Sequence, residues 1–568
     1  MEIKSIQIKK WNKSLFSVVL LSILIVLPII ALIIGSIGVD ASNFFYLIDY
    51  LLLDYTINTI YLLTLTLFFS MIFGIIPAWL ISTSKFKGRR TYDLLLYLPL
   101  AIPTYIMAFS YGDILSFSGP LQIFIRKYVP SLTNMFNQDY LQIEVLALLL
   151  SFCLYPYLYA ACRISFSLIG NNYISLSKNL GLNELKTFFK VGIPLSRPAI
   201  FSAIFLISME VLNEYGAVSY FGINTYTSGI FRAWGSMADM ETASLLAILL
   251  FLVVCFFFGL ERWITSKYNY NFKSNSDLSP NFKNKHGKLI FTHFICSIIV
   301  LTAFVIPILY MFNNIVIDFN NIDFFDVFNL SKNTILISLI ASVLIIIVVL
   351  IIQYIKRISN SKFLNFISEI ISLTYALPGA VIGISLIVLF APINDFFGFL
   401  LIGSIPVLVY AYFIRYMAVA VSPILSSFNK HPKKLDDTGT SLGLKPLQFF
   451  RKIFLPLNKN AIIIAFCICF VDIMKDVHKK AYNMYMKSET EERVKNICMY
   501  IDPFNRLYFR AKNCTFRAWT YFWALKRLVY ILNHRRQDFI PLDRHILWSN
   551  APKEAQMFVS IRSSSNPS

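Results

Sequence analysis

The chain is 568 residues long, 57% apolar, 16% aromatic and 14% charged, with a formal net charge of +20. Soluble globular chains carry about a quarter charged residues, so this composition excludes an ordinary soluble enzyme and points to a polytopic membrane protein. The Lys and Arg residues sit in short segments between apolar runs, a placement that fits cytoplasmic loops and argues against a nucleic-acid partner.

In chain order, Lys4, Lys9, Lys10 and Lys13 precede an uncharged run from Leu15 to Ile37. The run is longer than a signal-peptide core, and we read it as a retained membrane anchor. With it, eleven spans are expected, at about 15–37, 57–82, 93–112, 141–162, 198–219, 243–260, 289–312, 333–353, 366–390, 396–419 and 461–475. Most come close to the ~20 residues needed to cross a bilayer core. Segment 83–92 holds Lys85, Lys87, Arg89 and Arg90, whereas 38–56 holds Asp40, Asp49 and Asp54 with no basic residue. Counting alternately puts the N-terminus, 83–92, 163–197, 262–288, 354–363 and 415–460 on the cytoplasmic side. Pro103 and Pro378 are expected to kink their spans. Cys153, Cys162, Cys255, Cys296, Cys467 and Cys469 lie in apolar spans without any C-x-x-C pair, so buried free thiols are expected rather than a disulfide frame or zinc site.

The chain repeats itself at an offset of 262 residues. Leu180-Gly181-Leu182 matches Leu442-Gly443-Leu444, Pro194-Leu195 matches Pro456-Leu457, Glu210 matches Asp472, and Glu214 matches Asp476. The expected organisation is therefore a first module at 1–263, a polar linker at 264–288, a second module at 289–476, and a basic tail at 477–568. The tail has no glycine and no apolar run long enough to span, and the second module lacks a counterpart of span 243–260. A frameshift, truncation or fusion is the expected origin of that tail, with a genuine accessory domain as the alternative.

Each copy carries one pattern in a cytoplasmic loop: small residues, Leu-Gly, nine residues, then aliphatic-x-aliphatic-Pro. The first copy runs Ser175-Leu176-Ser177, Gly181, Val191-Gly192-Ile193-Pro194, and the second runs Asp437-Thr438-Gly439, Gly443, Ile453-Phe454-Leu455-Pro456. Such a segment is expected to form a short helix, turn at a glycine where φ > 0 is allowed, and form a second helix that stops at the proline. The doubled pattern resembles the coupling loop of binding-protein-dependent ABC importer permeases, although Ser175 and Asp437 stand where that family has Glu. The stretches Leu98-Pro99-Leu100-Ala101-Ile102-Pro103, Met209-Glu210-Val211-Leu212-Asn213-Glu214-Tyr215-Gly216 and Phe470-Val471-Asp472-Ile473-Met474-Lys475 resemble the fused two-module branch that serves ferric-iron uptake.

The resemblance implies an all-α membrane protein whose two tandem helical modules enclose a pore. Ser175, Gly181, Ile193, Pro194, Asp437, Gly443, Leu455 and Pro456 would form two ATPase-coupling loops. The implied partners are ABC ATPase subunits on the cytoplasmic side, an extracytoplasmic solute-binding protein and the lipid bilayer. No cofactor and no resident metal are implied. Glu210 and Glu214 are one helical turn apart, as are Asp472 and Asp476, and intramembrane carboxylates are candidates for a translocation path or for structural pairs. The chain contains neither G-x-x-x-x-G-K-[ST] nor H-E-x-x-H, so no covalent step is assigned to it. Three alternatives stay open: a thiamine or other small-solute permease, a proton-coupled secondary transporter, and the product of a damaged permease gene.

Overall fold

A computed structural model of the chain describes residues 21–37, 48–84, 86–132, 138–266, 286–317, 324–359, 377–397, 401–402, 404–431 and 446–475, with the single residues 45, 319, 364, 371, 374, 435, 441 and 443. Among the described residues every regular element is helical. The main helices are α1 Leu21–Gly35, α2 Leu52–Thr83, α3 Arg89–Leu95, α4 Thr104–Leu115, α5 Ile143–Asn179, α6 Ile193–Leu212, α7 Tyr226–Gly235 and α8 Met240–Ser266. They continue with α9 His286–Val300, α10 Ile306–Ile317, α11 Phe324–Ser359, α12 Gly379–Phe397, α13 Ile405–Lys430 and α14 Lys459–Lys475.

Seven described helices or helix runs are long and apolar enough to cross a membrane, two bent pairs add two more, and Leu21–Gly35 and Gly379–Asn394 are shorter apolar helices. Each of the eleven expected spans therefore overlaps one apolar helix or bent pair, although most of 366–376 lies outside the described residues. The outer surface is apolar, with Ile57, Ile60 and Phe68 of α2 and Ile340 and Ile347 of α11 exposed. Exposed aliphatic faces of this kind suit lipid as the surrounding solvent.

Helix α5 is the centre of the first half. Its apolar window is 72% buried, against 28–44% for the other long spans. It packs along α2, whose Thr59, Thr66, Ser70, Gly74 and Ala78 are buried on one face. Small and hydroxyl side chains at this spacing let two backbones approach closely, which is how helices associate where no hydrophobic effect drives them together. At one end of this pair Asp93 of α3 is buried, accepts a hydrogen bond from the Tyr159 hydroxyl at 2.6 Å, and meets the Arg163 guanidinium at 3.3 Å through both oxygens.

Prolines shape the remaining helices. Three π-helical turns occur among the described residues, Phe188–Gly192, Leu301–Val305 and Phe450–Phe454. Each ends two residues before a proline: Pro194, Pro307 or Pro456. A proline ring collides with the carbonyl four residues back, and widening that turn relieves the clash. The first and third turns are the same position in the two repeats, 262 residues apart. In the first, Trp79 lies over Gly192, where an added Cβ would stand 2.7 Å from the indole. In the second, the residue at that place is Phe454, buried among Tyr354, Phe428 and Phe450. The aromatic volume comes from opposite sides of the joint in the two copies.

Several expectations are corrected. The span expected at 93–112 is a broken one, bent by 91° between Arg89–Ala101 and Thr104–Tyr128 with Pro103 at the break. The span expected at 198–219 stops at Leu212 and resumes as a short helix, Gly216–Tyr220. Pro378 precedes the first residue of α12 instead of kinking it, in keeping with its fixed φ. Of the six described cysteines, which are all free, Cys255 is exposed and Cys467 half-buried, because each lies toward the lipid-facing side of its helix.

The first helix of each half reaches into the core of the other half, although Leu32 of α1 also lies in a core with α7 and α8 of its own half. Ile25 of α1 lies in the core built by α11 and α13, and the Tyr410 hydroxyl donates to the Leu24 carbonyl. Conversely, Cys296, Ile299 and Ala303 lie in the core of α2, α4 and α5, with Ser297 2.6 Å from the Tyr92 hydroxyl. At the far end of α1, a Cβ on Gly35 would stand 4.0 Å from the Val388 Cβ of α12. That separation suits a disulfide. A Gly35→Cys/Val388→Cys chain is therefore expected to cross-link spontaneously, and after cleavage at a protease site placed in 264–288 its two halves should migrate together until reduced. Separate migration without reductant would rule the exchange out.

Candidate functional site

Helix α6 ends where the Asn213 N–H bonds back to the Met209 carbonyl at 3.1 Å, and the chain then breaks before Gly216–Tyr220. Glu214 lies in that break. One carboxylate oxygen accepts the Ala217 N–H at 2.9 Å and the other accepts the Thr104 hydroxyl. The Thr227 hydroxyl donates to the Glu214 carbonyl at 2.8 Å. Glu214 thus caps the resumed helix, and it no longer shares a helical face with Glu210 as the spacing suggested, because the short-range carboxylate–N–H bond stabilises the interruption. Next to it, the Asn213 side-chain oxygen accepts the Gly379 N–H at 2.6 Å and ties α6 to the start of α12.

Helix α14 is set at 68° to the segment before it, Phe450–Leu457. The joint is Asn458, which is buried, donates to the Phe454 carbonyl at 2.7 Å and accepts from the Ser427 hydroxyl at 2.7 Å. This bend carries Asp472 and Lys475 inward, their oxygen and nitrogen 3.8 Å apart. Helix α13 adds Arg415. Together these residues line one cavity of about 140 Å³ that also takes in Pro103, Thr104, Tyr157, Asn213 and Gly216. Glu210 and Asp472 occupy the same position in the two repeats, so the cavity lies where the repeats face each other. Its five charged side chains, Glu210, Glu214, Asp472, Arg415 and Lys475, come from three helices and the break after α6. Inside a membrane such groups are costly and persist where they face a pathway or one another.

The doubled elbows have one geometry. Gly181 has φ 75° and Gly443 φ 72°, both in the left-handed region, and a side chain at either would meet nothing within 4 Å. In the first copy Ser175 falls within α5, and the chain turns at Gly181. The Asn183 side chain then caps Glu184–Thr187 by accepting the Lys186 N–H at 2.8 Å. The prolines do not stop a helix as expected: Ile193 and Pro194 open α6, and Leu455 and Pro456 open the matching turn of the second copy, because the first turn of a helix has no partner for the missing N–H. The first elbow exposes Leu176, Leu180, Leu185 and Phe189, from 56% to 71% of each. Asp437 and Asp476 lie outside the described residues, as do most of linker 264–288 and the whole tail from 477.

Arg415, Lys475, Asn213 and Thr104 were not among the residues chosen from sequence. Arg415 is the lone charged residue between Leu401 and Phe428, and Lys475 falls three residues after Asp472. The cost of a membrane-embedded cation is a signal that would have found both.

A helical membrane body in two repeats, a charged cavity between them and a pair of matched elbows together define the permease of a solute transporter. The family described as binding-protein-dependent transport system inner membrane component matches residues 70–266 and 357–477, more than half of the chain, and the chain belongs to that family. It is a multi-pass inner-membrane component, as the resemblance of the elbows implied. Its relatives include the Fe(3+)-transport system permease protein FbpB 2 of Haemophilus influenzae, 23% identical over 429 residues, with 74% of this chain and 79% of the relative covered. The sulfate transport system permease protein CysT of Salmonella typhimurium is 26% identical over 156 residues, or 28% of this chain and 54% of the relative. The molybdenum transport system permease protein ModB of Escherichia coli is 27% identical over 162 residues, or 28% and 68%.

Proposed function

We propose that this chain passes ferric iron, delivered by an extracytoplasmic binding protein, through the cavity between its halves, driven by ABC ATPase subunits docked on the elbows at 175–194 and 437–456. Residues 1–263 and 289–476 act as the two modules and 264–288 as their link. The observation that carries the proposal is that the equivalent carboxylates Glu210 and Asp472 line a single cavity. Hard carboxylate oxygens suit a hard cation, whether bare or partly chelated. The similarity to an Fe(3+) permease over 74% of the chain supports the same cargo. Exposed Leu180, Leu185 and Phe189 beside Gly181 offer an apolar face to an ATPase groove.

ATP binding drives transport only insofar as it favours one of two arrangements of the helices, since a ligand shifts only states it binds differently. Glu210→Gln and Asp472→Asn are each expected to lower ATP-dependent uptake of radioactive iron at least ~10-fold while leaving the chain in the membrane, because each removes a charge from the lining. Uptake unchanged in both variants would rule out the cavity as the route. A second cargo is favoured by Arg415 and Lys475: a tetrahedral oxyanion, as in the sulfate and molybdenum relatives. Under that reading sulfate or molybdate uptake falls in Arg415→Gln and iron uptake is absent from the start.

A further inference from the structure

Lys475 and Asn213 line the same cavity and hold the same place in the two repeats, 262 residues apart. Their circumstances differ. The Asn213 amide is fixed to the Gly379 N–H at 2.6 Å. The Lys475 ammonium stands 3.8 Å from the Asp472 oxygen, beyond hydrogen-bond contact, at the end of a flexible four-carbon stem. Of the three carboxylates in the lining, Glu214 has both oxygens engaged, by Thr104 and by Ala217. Glu210 and Asp472 share the lining with Arg415 and Lys475, whose positive charges offset carboxylate charge in the empty cavity.

We propose that the Lys475 ammonium is a built-in counter-ion, which holds the seat beside Asp472 while the cavity is empty and is displaced by a multivalent cation as it enters. The inference rests on the cation cargo proposed above. Attraction to the carboxylates scales with the charge of the arriving ion. A monovalent ion gains no more than the ammonium it must evict, and it loses the freedom of movement that a tethered group never had. Sodium is thereby kept from the seat, while a trivalent ion takes it. The lysine swings aside on its own stem, and Asn213 in the other repeat stays fixed.

The test uses the full chain purified in detergent, with Tb³⁺ as a trivalent, oxygen-preferring probe whose luminescence is sensitised by Tyr157 in the cavity wall. Lys475→Met is expected to tighten Tb³⁺ binding at least ~10-fold and to make sodium a competitor. Lys475→Arg, which keeps the charge and controls for folding, should show no such gain. Adding Asp472→Asn to Lys475→Met should erase the gain. In cells, Lys475→Met should lower both the maximal rate of iron uptake and the half-saturating concentration, a split that a merely damaged protein does not give. Unchanged or weaker Tb³⁺ binding in Lys475→Met overturns the proposal, as does equal sodium competition in parent and variant. If the Tb³⁺ gain appears but parent cells import no iron, the iron cargo fails and the counter-ion stands. If parent cells import iron and the gain is missing, the counter-ion alone fails.

Discussion

Valine at Gly181 or Gly443 is expected to cut ATP-driven uptake at least ~10-fold while ATP hydrolysis continues, because the left-handed conformation is ordinarily closed to a β-branched residue. The two glycines have φ 75° and 72°, and nothing stands within 4 Å of where a side chain would begin. The substitution therefore acts through backbone conformation alone, with no steric collision to confuse it. An L-residue held there costs roughly 1–2 kcal/mol, and the turn relieves this by opening, which moves the second arm of the elbow relative to the first. Asparagine visits this conformation readily, so Gly181→Asn and Gly443→Asn should retain at least about half of the uptake. Transport and hydrolysis measured together in proteoliposomes with the ATPase separate coupling from folding. Full uptake in both valine variants would remove the elbows from the mechanism.

Asp93→Asn is expected to produce the largest loss of stability of any single change considered for this protein. The Asp93 and Arg163 side chains are only 12% and 15% exposed, they touch at 3.3 Å, and the Tyr159 hydroxyl completes the carboxylate's hydrogen bonds. Removing one partner leaves an uncompensated charge in the interior, at a cost of about 3–5 kcal/mol. Replacing both, as in Asp93→Leu/Arg163→Met, removes the charges together and should restore most of that loss. Thermal denaturation of the purified chain in detergent measures this directly. A double variant as unstable as Asp93→Asn would show that the pair holds the fold by something other than charge compensation.

Much of this architecture can be read from residue order. The described apolar runs are apolar helices because, outside a closed barrel, a bilayer obliges each span to satisfy its own backbone hydrogen bonds. The glycine turns of the elbows were legible because a residue tolerant of positive φ recurs at one spacing before a proline in both copies, whereas the prolines, expected to end a helix, open one. The break at Asn213–Tyr215 was not. Glu210 and Glu214 fit one helical turn, and nothing in the spacing shows that the Glu214 carboxylate caps Ala217 instead. The exchanged first helices were equally hidden. Hydropathy says that α1 faces lipid or other helices, whereas its choice of partner is a matter of shape, such as the fit of Gly35 against Val388. Arg415 went unchosen because the expected span ended at 419 and 415 was counted into the cytoplasmic segment 415–460, whereas Ile405–Lys430 is one continuous helix that places it well inside the span.

The exchange of opening helices has a bearing on biosynthesis. Leu24 and the tyrosine that binds it are 386 residues apart along the chain. At roughly 5–20 residues per second, ribosomes take about 20–80 s to bring the second after the first. Throughout that interval α1 is inserted without its α13 partner, and whatever surveys unfinished proteins in the bilayer meets it in that state.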